Sequence, residues 1–245
     1  MAIVETKGLT KVYGSGDTAV TALDSVDLSV EPGEFVAIMG PSGCGKSTLL
    51  NLIGGLDRPT AGSVSIDGTD VSTMSDDHLT ELRRRRIGFV FQFFNLIPVL
   101  NAAENAGLPL TLDGAKPADA DRRARDWLMR VGLEGRTGSR PDQLSGGQQQ
   151  RVAVARALVA EPALMLCDEP TGNLDSKSSS EIAELLRQAS AEWGRAIVMV
   201  THDVGIASHA DRIVFMKDGG IVDDVKLDGN RVEQTRAAME KAGLL

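Results

Sequence analysis

Gly40-Pro41-Ser42-Gly43-Cys44-Gly45-Lys46-Ser47 follows directly on the apolar run Phe35-Val36-Ala37-Ile38-Met39. An unbroken apolar run of that length reads as a strand covered on both faces. A strand that enters a Gly-rich turn and then a helix is the P-loop arrangement. Glycines let the backbone curl until successive N–H groups face one anion, and the helix behind adds its positive N-terminal end. In such a cradle Lys46 has the reach for β- and γ-phosphates, and the Ser47 hydroxyl suits Mg²⁺. Gly40, Ser42, Gly43, Cys44, Gly45 and Thr48 complete the phosphate-facing set. The bland reading is a Gly-rich turn that binds nothing; strand, loop, Lys and Ser in the right order weigh against it. Alone, the loop says nucleotide and no more. No Asn-Lys-x-Asp run, the pattern that reads guanine, occurs in the chain, which tilts the reading towards ATP.

Other apolar runs repeat the strand signal at residues 163–167, 196–200 and 213–216. Between them, Ile182, Leu185, Leu186, Ala189 and Trp193 form a helical stripe over residues 181–193. Alternating strands and helices predict an α/β P-loop core with a mainly parallel sheet. Val26, Leu28 and Val30 alternate with polar neighbours instead, which predicts an N-terminal antiparallel β layer ending at Glu31-Pro32-Gly33. From about 93 to 150 the strand signal fades and helical patterns take over, as in residues 121–131. That stretch reads as an inserted α-helical sub-domain within one cassette spanning 1–245, with a surface loop at 112–117. Turns are expected at Gly219-Gly220 and Asp228-Gly229, and a modest helix in the last fifteen residues.

Two further segments carry chemistry. Leu164-Met165-Leu166-Cys167 ends in Asp168 and Glu169. Asp168, at the strand's mouth, is placed to hold the Mg²⁺ shell, and Glu169 to polarise an attacking water. Taken alone the pair reads equally well as solvated acids at a strand end; the P-loop shifts the balance. Leu144-Ser145-Gly146-Gly147-Gln148 opens a helical run, a second anion-binding helix start. One chain with two phosphate-binding helix ends and an insertion between them is explained by two copies facing head to tail.

At this point the motifs resemble those of the ABC (ATP-binding cassette) ATPases. Ser145 to Gln148 stand in the family's signature, and the other marks occur in order over about residues 3–225. Tyr13, the chain's one tyrosine, sits at the adenine-stacking position; Gln92 lies in the Q-loop; Asn173-Leu174-Asp175 resembles the D-loop; His202 resembles the switch histidine. The resemblance implies a homodimer with two ATP sandwiched between the P-loop of one copy and the signature of the other. It implies Glu169 as general base, His202 holding the γ-phosphate, and Gln92 sensing Mg²⁺ and nucleotide. One departure is Gly-Asn-Leu-Asp where many relatives read Ser-Ala-Leu-Asp.

The run from Asp168 to Asp175, with Phe94-Asn95-Leu96-Ile97-Pro98 and the stretch 104–110, is similar to the macrolide-efflux, lipoprotein-release and cell-division group (MacB, LolD and FtsE types). This implies a separately encoded membrane permease and mechanical coupling across the membrane. An ATP-switched scaffold that activates cell-wall enzymes through its permease is the alternative. A soluble DNA-repair or translation member needs two cassettes or a long coiled coil, for which 245 residues leave no room. Phe94 and Leu96 are expected to help form an apolar groove for a permease helix. Arg83-Arg84-Arg85-Arg86 reads as a solvated helix C-terminus.

Bulk composition fits these readings. A net charge of −8 disfavours nucleic acid as a partner. Two separated cysteines, Cys44 and Cys167, point to a reducing compartment and to packing roles. With neither a signal-peptide pattern nor about 18 consecutive apolar residues, the expected location is the cytoplasmic face of a membrane, reached through the permease.

Overall fold

Residues 1–228 and 230–243 are described by the structure, a computed structural model. Strand β1 (Val4–Tyr13) pairs antiparallel with β2 (Val20–Val30), from Val4 opposite Val30 to Tyr13 opposite Val20. Next come β3 (Phe35–Met39), α1 (Lys46–Ile53), β4 (Ala61–Ile66), β5 (Thr69–Asp70), α2 (Asp76–Arg86) and β6 (Ile87–Phe91). The segment between β6 and the following strand carries α3 (Ala102–Leu112), α4 (Pro117–Arg130) and α5 (Gly146–Leu158). The chain then alternates: β7 (Leu164–Asp168), α6 (Ser176–Ala191), β8 (Ala196–Val200), α7 (Val204–Ala207), β9 (Arg212–Lys217), β10 (Gly220–Lys226) and α8 (Arg231–Lys241).

Two sheets result. One is antiparallel in the order β2-β1-β4-β5; the other runs β10-β9-β3-β8-β7-β6, parallel except for the edge pair β10–β9. The α/β core, the antiparallel layer and the helical segment all stand as the sequence predicts. Strand β3 explains why its residues do not alternate. Phe35, Ala37 and Met39 join the core under the helices, while Val36 and Ile38 join the core under the antiparallel sheet, so both faces are dry.

Several boundaries move. Helix α6 starts at Ser176, capped by Asp175, rather than near 181, because the cap satisfies the free Ser178 amide. Trp193 falls beyond its end and packs edge-on against Trp127, with ring centroids 5.0 Å apart. Strands β4, β5 and β10, short or half-exposed, give little apolar signal and were not expected. Strand β10 is an edge, which leaves its outer face polar. The expected turn at 219–220 forms at 218–219. Of the Asp228-Gly229 turn, Gly229 lies outside the described residues.

The arginine run does close α2, but it is not simply solvated. Arg83 donates to Gly55 O and Thr80 Oγ1, Arg84 lies 2.8 Å from Asp113, Arg85 pairs with Glu81 and Asp113, and Arg86 pairs with Asp67. Glu81 on the helix itself and two acids from other segments, Asp67 and Asp113, collect three of these cations.

The loop from 92 to 101 has no regular structure and hangs on one buried amide. Asn105 Oδ1 accepts from Ile97 N at 2.7 Å, and its Nδ2 donates to the carbonyls of Ile97, Leu100 and Asn101 at 3.0–3.1 Å. Asn105→Ala is expected to destabilise the protein by about 2–4 kcal/mol, since it orphans buried backbone groups. Urea denaturation measures this; a loss below about 0.5 kcal/mol, the surface-substitution level, contradicts it.

Candidate active site

Strands β3, β7 and β8 lie in parallel register, with Ile38 and Asp168 both opposite Val200. Their C-terminal ends therefore release Gly40, Glu169 and Thr201-His202 side by side. The loop after β3 curls through positive φ at Gly40, Gly43 and Gly45. Gly40 and Gly45 admit no side chain: a Cβ would lie 2.1 Å from Met216 O and 2.3 Å from Ala22 O. Neighbouring strands thus press the cradle into shape. Lys46 is buried, and its Nζ donates to Gly40 O at 2.9 Å and Pro41 O at 2.8 Å, so its charge is held within the loop it serves. Cys44, also buried, lies with its Sγ 3.9 Å from that Nζ. Cys167, the other free thiol, is pushed far above its ordinary pKa by burial and stays protonated.

Ser47 Oγ donates to Asp168 Oδ1 at 3.1 Å. Burial raises the Asp168 pKa, as does the charge of Glu169, while the Ser47 bond and Lys46 oppose this. A carboxylate so placed is stabilised by an added cation. Ser47 and Asp168 are hard oxygen donors converging at the cradle, the donor type that Mg²⁺ takes when phosphates and water fill its remaining positions.

Glu169 adopts φ +47°, a left-handed backbone that costs a non-glycine residue on the order of 1 kcal/mol. Two backbone bonds hold it there: Glu169 N to Val200 O and Gly172 N to Glu169 O, each 3.0 Å. The turn carries its carboxylate to His202, whose Nδ1 lies 2.9 Å from Oε2 and 3.1 Å from Oε1. The carboxylate is mostly covered and the imidazole three-quarters exposed, so this pair links a shielded carboxylate to the open face. A cavity of about 670 Å³ joins Gly40, Pro41, Ser42, Lys46, Glu169 and His202. Another of about 420 Å³ continues past Glu169 and His202 along Thr171, Ser176, Ser179 and His209.

Not every expected site residue meets at this cavity. Ser145 caps α5: its Oγ accepts from Gln148 N at 3.3 Å, and Gln148 Oε1 accepts from Ser145 N at 3.0 Å. Neither Ser145, Gly146, Gly147, Gln148 nor Asp175 lines the cradle cavity among the described residues. Tyr13 lies at the end of β1, half-exposed, with Lys11 Nζ 4.8 Å from its ring centroid and its hydroxyl donating to Asp57 at 2.8 Å. Burial and the Asp57 carboxylate raise the phenol's pKa, so it remains a neutral ring.

Gln92 turns to the D-loop. Its Nε2 donates to Asn173 Oδ1 at 3.3 Å, and Asn173 Nδ2 returns to Gln92 O at 3.1 Å. Asn173 is one of the two residues, with Gly172, by which this chain departs from Ser-Ala-Leu-Asp, and its side chain makes both bonds of the clasp. Gln150 went unnoticed in the sequence. Fully buried, it donates to Phe91 O and Pro170 O and so ties β6 to the turn after Glu169. A lone glutamine on an apolar helix face was the available signal.

An apolar groove of about 600 Å³ lies between α2, β6, α3 and α5, lined by Leu56, Phe89, Phe91, Leu108, Leu112 and Ala157. Phe94 and Leu96 do not line it. Leu96 packs on the core, and Phe94 offers its carbonyl to Arg156. The loop's chain direction carries their side chains away, and Phe89 and Phe91, two residues apart on β6, line the groove instead.

Comparison with known proteins agrees with this geometry. The family model described as "ABC transporter" matches residues 23–172. The chain belongs to the ABC transporter ATP-binding family. It is 49% identical over 231 residues to the ABC transporter ATP-binding protein MJ0796 of Methanocaldococcus jannaschii, covering 93% of this cassette and 98% of that protein. It is also 49% identical to the lipoprotein-releasing system ATP-binding protein LolD of Geobacter metallireducens, over 91% of this chain and 99% of LolD. The macrolide export ATP-binding/permease protein MacB of Hyphomonas neptunium is 48% identical over 98% of the chain, which spans only 36% of that longer protein. Among solved structures, a dimer of MJ0796 in a post-hydrolysis state with ADP and Pi superposes with a TM-score of 0.85 at 47% identity, covering 92% of this cassette and 99% of that chain. The MacB/LolD-like family, the ABC cassette fold and the ATPase activity read from the sequence all stand.

The clasp gives a test. Asn173→Ala removes both bonds to Gln92, and amide exchange over residues 90–94 should quicken ~5- to 30-fold, the equivalent of about 1–2 kcal/mol. Unchanged exchange there removes the clasp from the account.

Proposed function

We propose that this ATPase cassette works as a head-to-tail homodimer that closes on two ATP with Mg²⁺ and opens after hydrolysis, driving a separately encoded FtsX/MacB-like permease. The observation that carries the reading is the division of the site. In one chain, the Lys46 cradle and the Glu169–His202 pair share a cavity, while the helix start at Ser145 lies apart from it. A second copy facing the first brings that helix start to the γ-phosphate.

In this reading the backbone from Gly40 to Ser47, with Thr48, binds the phosphates, Lys46 neutralises their β,γ charge, and Tyr13 stacks under adenine. Ser47, Asp168 and Gln92 would hold Mg²⁺, and the ion would supply positive charge against the phosphate oxygens. Glu169 takes a proton from the attacking water as the water's oxygen bonds to γ-phosphorus and the bond from γ-phosphorus to the β,γ-bridging oxygen breaks, the electron pair leaving on ADP. His202, bonded to the Glu169 carboxylate, holds that carboxylate in line and turns its free ring edge towards the γ-phosphate. Ser145, Gly146, Gly147 and Gln148 of the opposite copy present backbone N–H groups and a positive helix end to the same phosphate. Asp175, at the start of α6, sits on the face between copies. After hydrolysis the charge between the copies increases and they separate. Gln92, clasped to Asn173, passes this change to the helical segment and its groove, where a short permease helix docks.

That placement puts the cassette at the cytoplasmic face of a membrane, held by its partner. No helix among the described residues is long and apolar enough to cross a bilayer. The similarity to LolD over nearly its whole length supports a permease on a separate chain.

Two substitutions test the assignment. Lys46→Ala should weaken ATP binding, and normal-rate hydrolysis by that variant would contradict the role given to Lys46. Glu169→Gln should retain ATP yet lose about 10²–10⁴-fold in hydrolysis rate, the range for a general base. It should accumulate as an ATP-locked dimer in light scattering; a monomer with ATP bound would count against the sandwich.

A further inference from the structure

The groove between α2, β6, α3 and α5 has an unusual charge. Its walls are apolar, but Arg83, Arg84 and Arg156 also line it, and no carboxylate does among the described residues. The chain as a whole carries a net charge of −8, so this patch has the opposite sign to the protein's total. The way the three guanidinium groups are held sharpens the point.

Arg83 donates to Gly55 O at 2.5 Å and to Thr80 Oγ1 at 2.8 Å, both neutral acceptors, and makes no ion pair among the described residues. Arg156 donates to Asn95 O at 2.6 Å and Phe94 O at 2.8 Å, again neutral, again without an ion pair there. It is largely buried, and that burial pulls its pKa below the ordinary arginine value. Arg84 does meet an acid, with its Nε 2.8 Å from Asp113 Oδ1. It shares that carboxylate with Arg85, and its Nε hydrogen finds no well-aligned acceptor. Two guanidinium charges balanced only by dipoles, and a third with a shared acid, therefore face one low-dielectric trough. Charges there are screened less than on the open surface, so an added carboxylate is attracted and an added ammonium repelled.

We infer that this groove selects a partner helix that is amphipathic and acidic: an apolar stripe for Phe89, Phe91, Leu108 and Leu112, flanked by Asp or Glu side chains that meet Arg83, Arg84 and Arg156. This rests on the docking reading above and adds what the docked helix must carry. Arg84 is the exchangeable member. Asp113, at the end of α3, occupies it while the groove is free, and an incoming carboxylate takes its place. The apolar stripe supplies contact area, and the acids supply register and discrimination. A partner whose cytoplasmic helix bears Lys or Arg at the flanking positions is rejected.

A displayed library tests this on the full-length protein. Fourteen-residue peptides carry leucines at i, i+3, i+4 and i+7, with all other positions randomised; binders are selected on the wild-type cassette and counter-screened on Leu56→Ser/Leu112→Ser. Both leucines are exposed, so that variant keeps its core. The expected result is groove-dependent binders enriched roughly 5-fold or more in Asp and Glu beside the stripe, with Lys and Arg depleted. The enrichment should shrink when selection is repeated on Arg83→Gln/Arg84→Gln, whose side chains stay hydrogen-bonding but uncharged. Groove-dependent binders without an acidic bias would overturn the charge inference and leave the docking reading in place. Binders indifferent to Leu56→Ser/Leu112→Ser, or none at all, would overturn both.

Discussion

The parallel register of β3, β7 and β8 is the constraint on which the site depends. Ile38 and Asp168 each stand opposite Val200, so the loops that follow leave the sheet at one level. The phosphate cradle, the Asp168–Glu169 pair and His202 come from segments 40–47, 168–169 and 202, far apart in sequence and adjacent only because of that register. A slip of one residue would turn Asp168 to the opposite face of the sheet and separate it from Ser47. The dry cores on both sides, one under the helices and one under the antiparallel layer, hold the register by burying alternate residues of β3. Strain is then tolerated locally at Glu169 with its left-handed backbone, while glycine at 40 and 45 lets the loop lie where any side chain would strike Met216 O and Ala22 O.

Much of this was legible in the sequence, for a physical reason in each case. Buried parallel strands are near-continuous apolar runs, so β3, β7, β8 and β9 announce themselves. A backbone phosphate cradle demands glycine at fixed positions, so residues 40–47 do too. What stayed hidden depends on partners remote in sequence. Strands β4, β5 and β10 are too short or too exposed to carry a pattern, and they exist because β1, β4 and β9 offer edges. Phe94 and Leu96 look like groove residues by composition, yet the path of the loop, set by Asn105, gives that wall to Phe89 and Phe91. The arginines at 83–86 read as solvated, because nothing in a linear sequence says that Asp67 and Asp113 will fold back onto them. Gln150 and the Asn173–Gln92 clasp were invisible as interactions, although Asn173 was visible as a departure.

The molecule's two working surfaces are connected by short paths. Gln92 directly follows the strand that carries Phe89 and Phe91 into the groove, and Asn173 ties Gln92 to the turn after Glu169. Gln150 fastens that turn and β6 to α5, the helix whose N-terminus carries Ser145 and whose body carries Arg156. A change in the Glu169 turn therefore reaches both the groove and the opposing face through a few hydrogen bonds. Such a layout suits a cassette that converts γ-phosphate chemistry into motion of a docked helix.

The central claim is that a second copy completes the site, and the amides of residues 144–149 report on it directly. Hydrogen–deuterium exchange of that segment would be followed in Glu169→Gln protein with ATP over a range of protein concentrations. The account predicts that ATP protects these amides, with protection that grows with protein concentration and fades on dilution as the dimer dissociates. Protection independent of concentration would mean that the chain closes its own site, and absence of protection at any concentration would mean that Ser145 to Gln148 never meet the nucleotide. Either result contradicts the head-to-tail dimer.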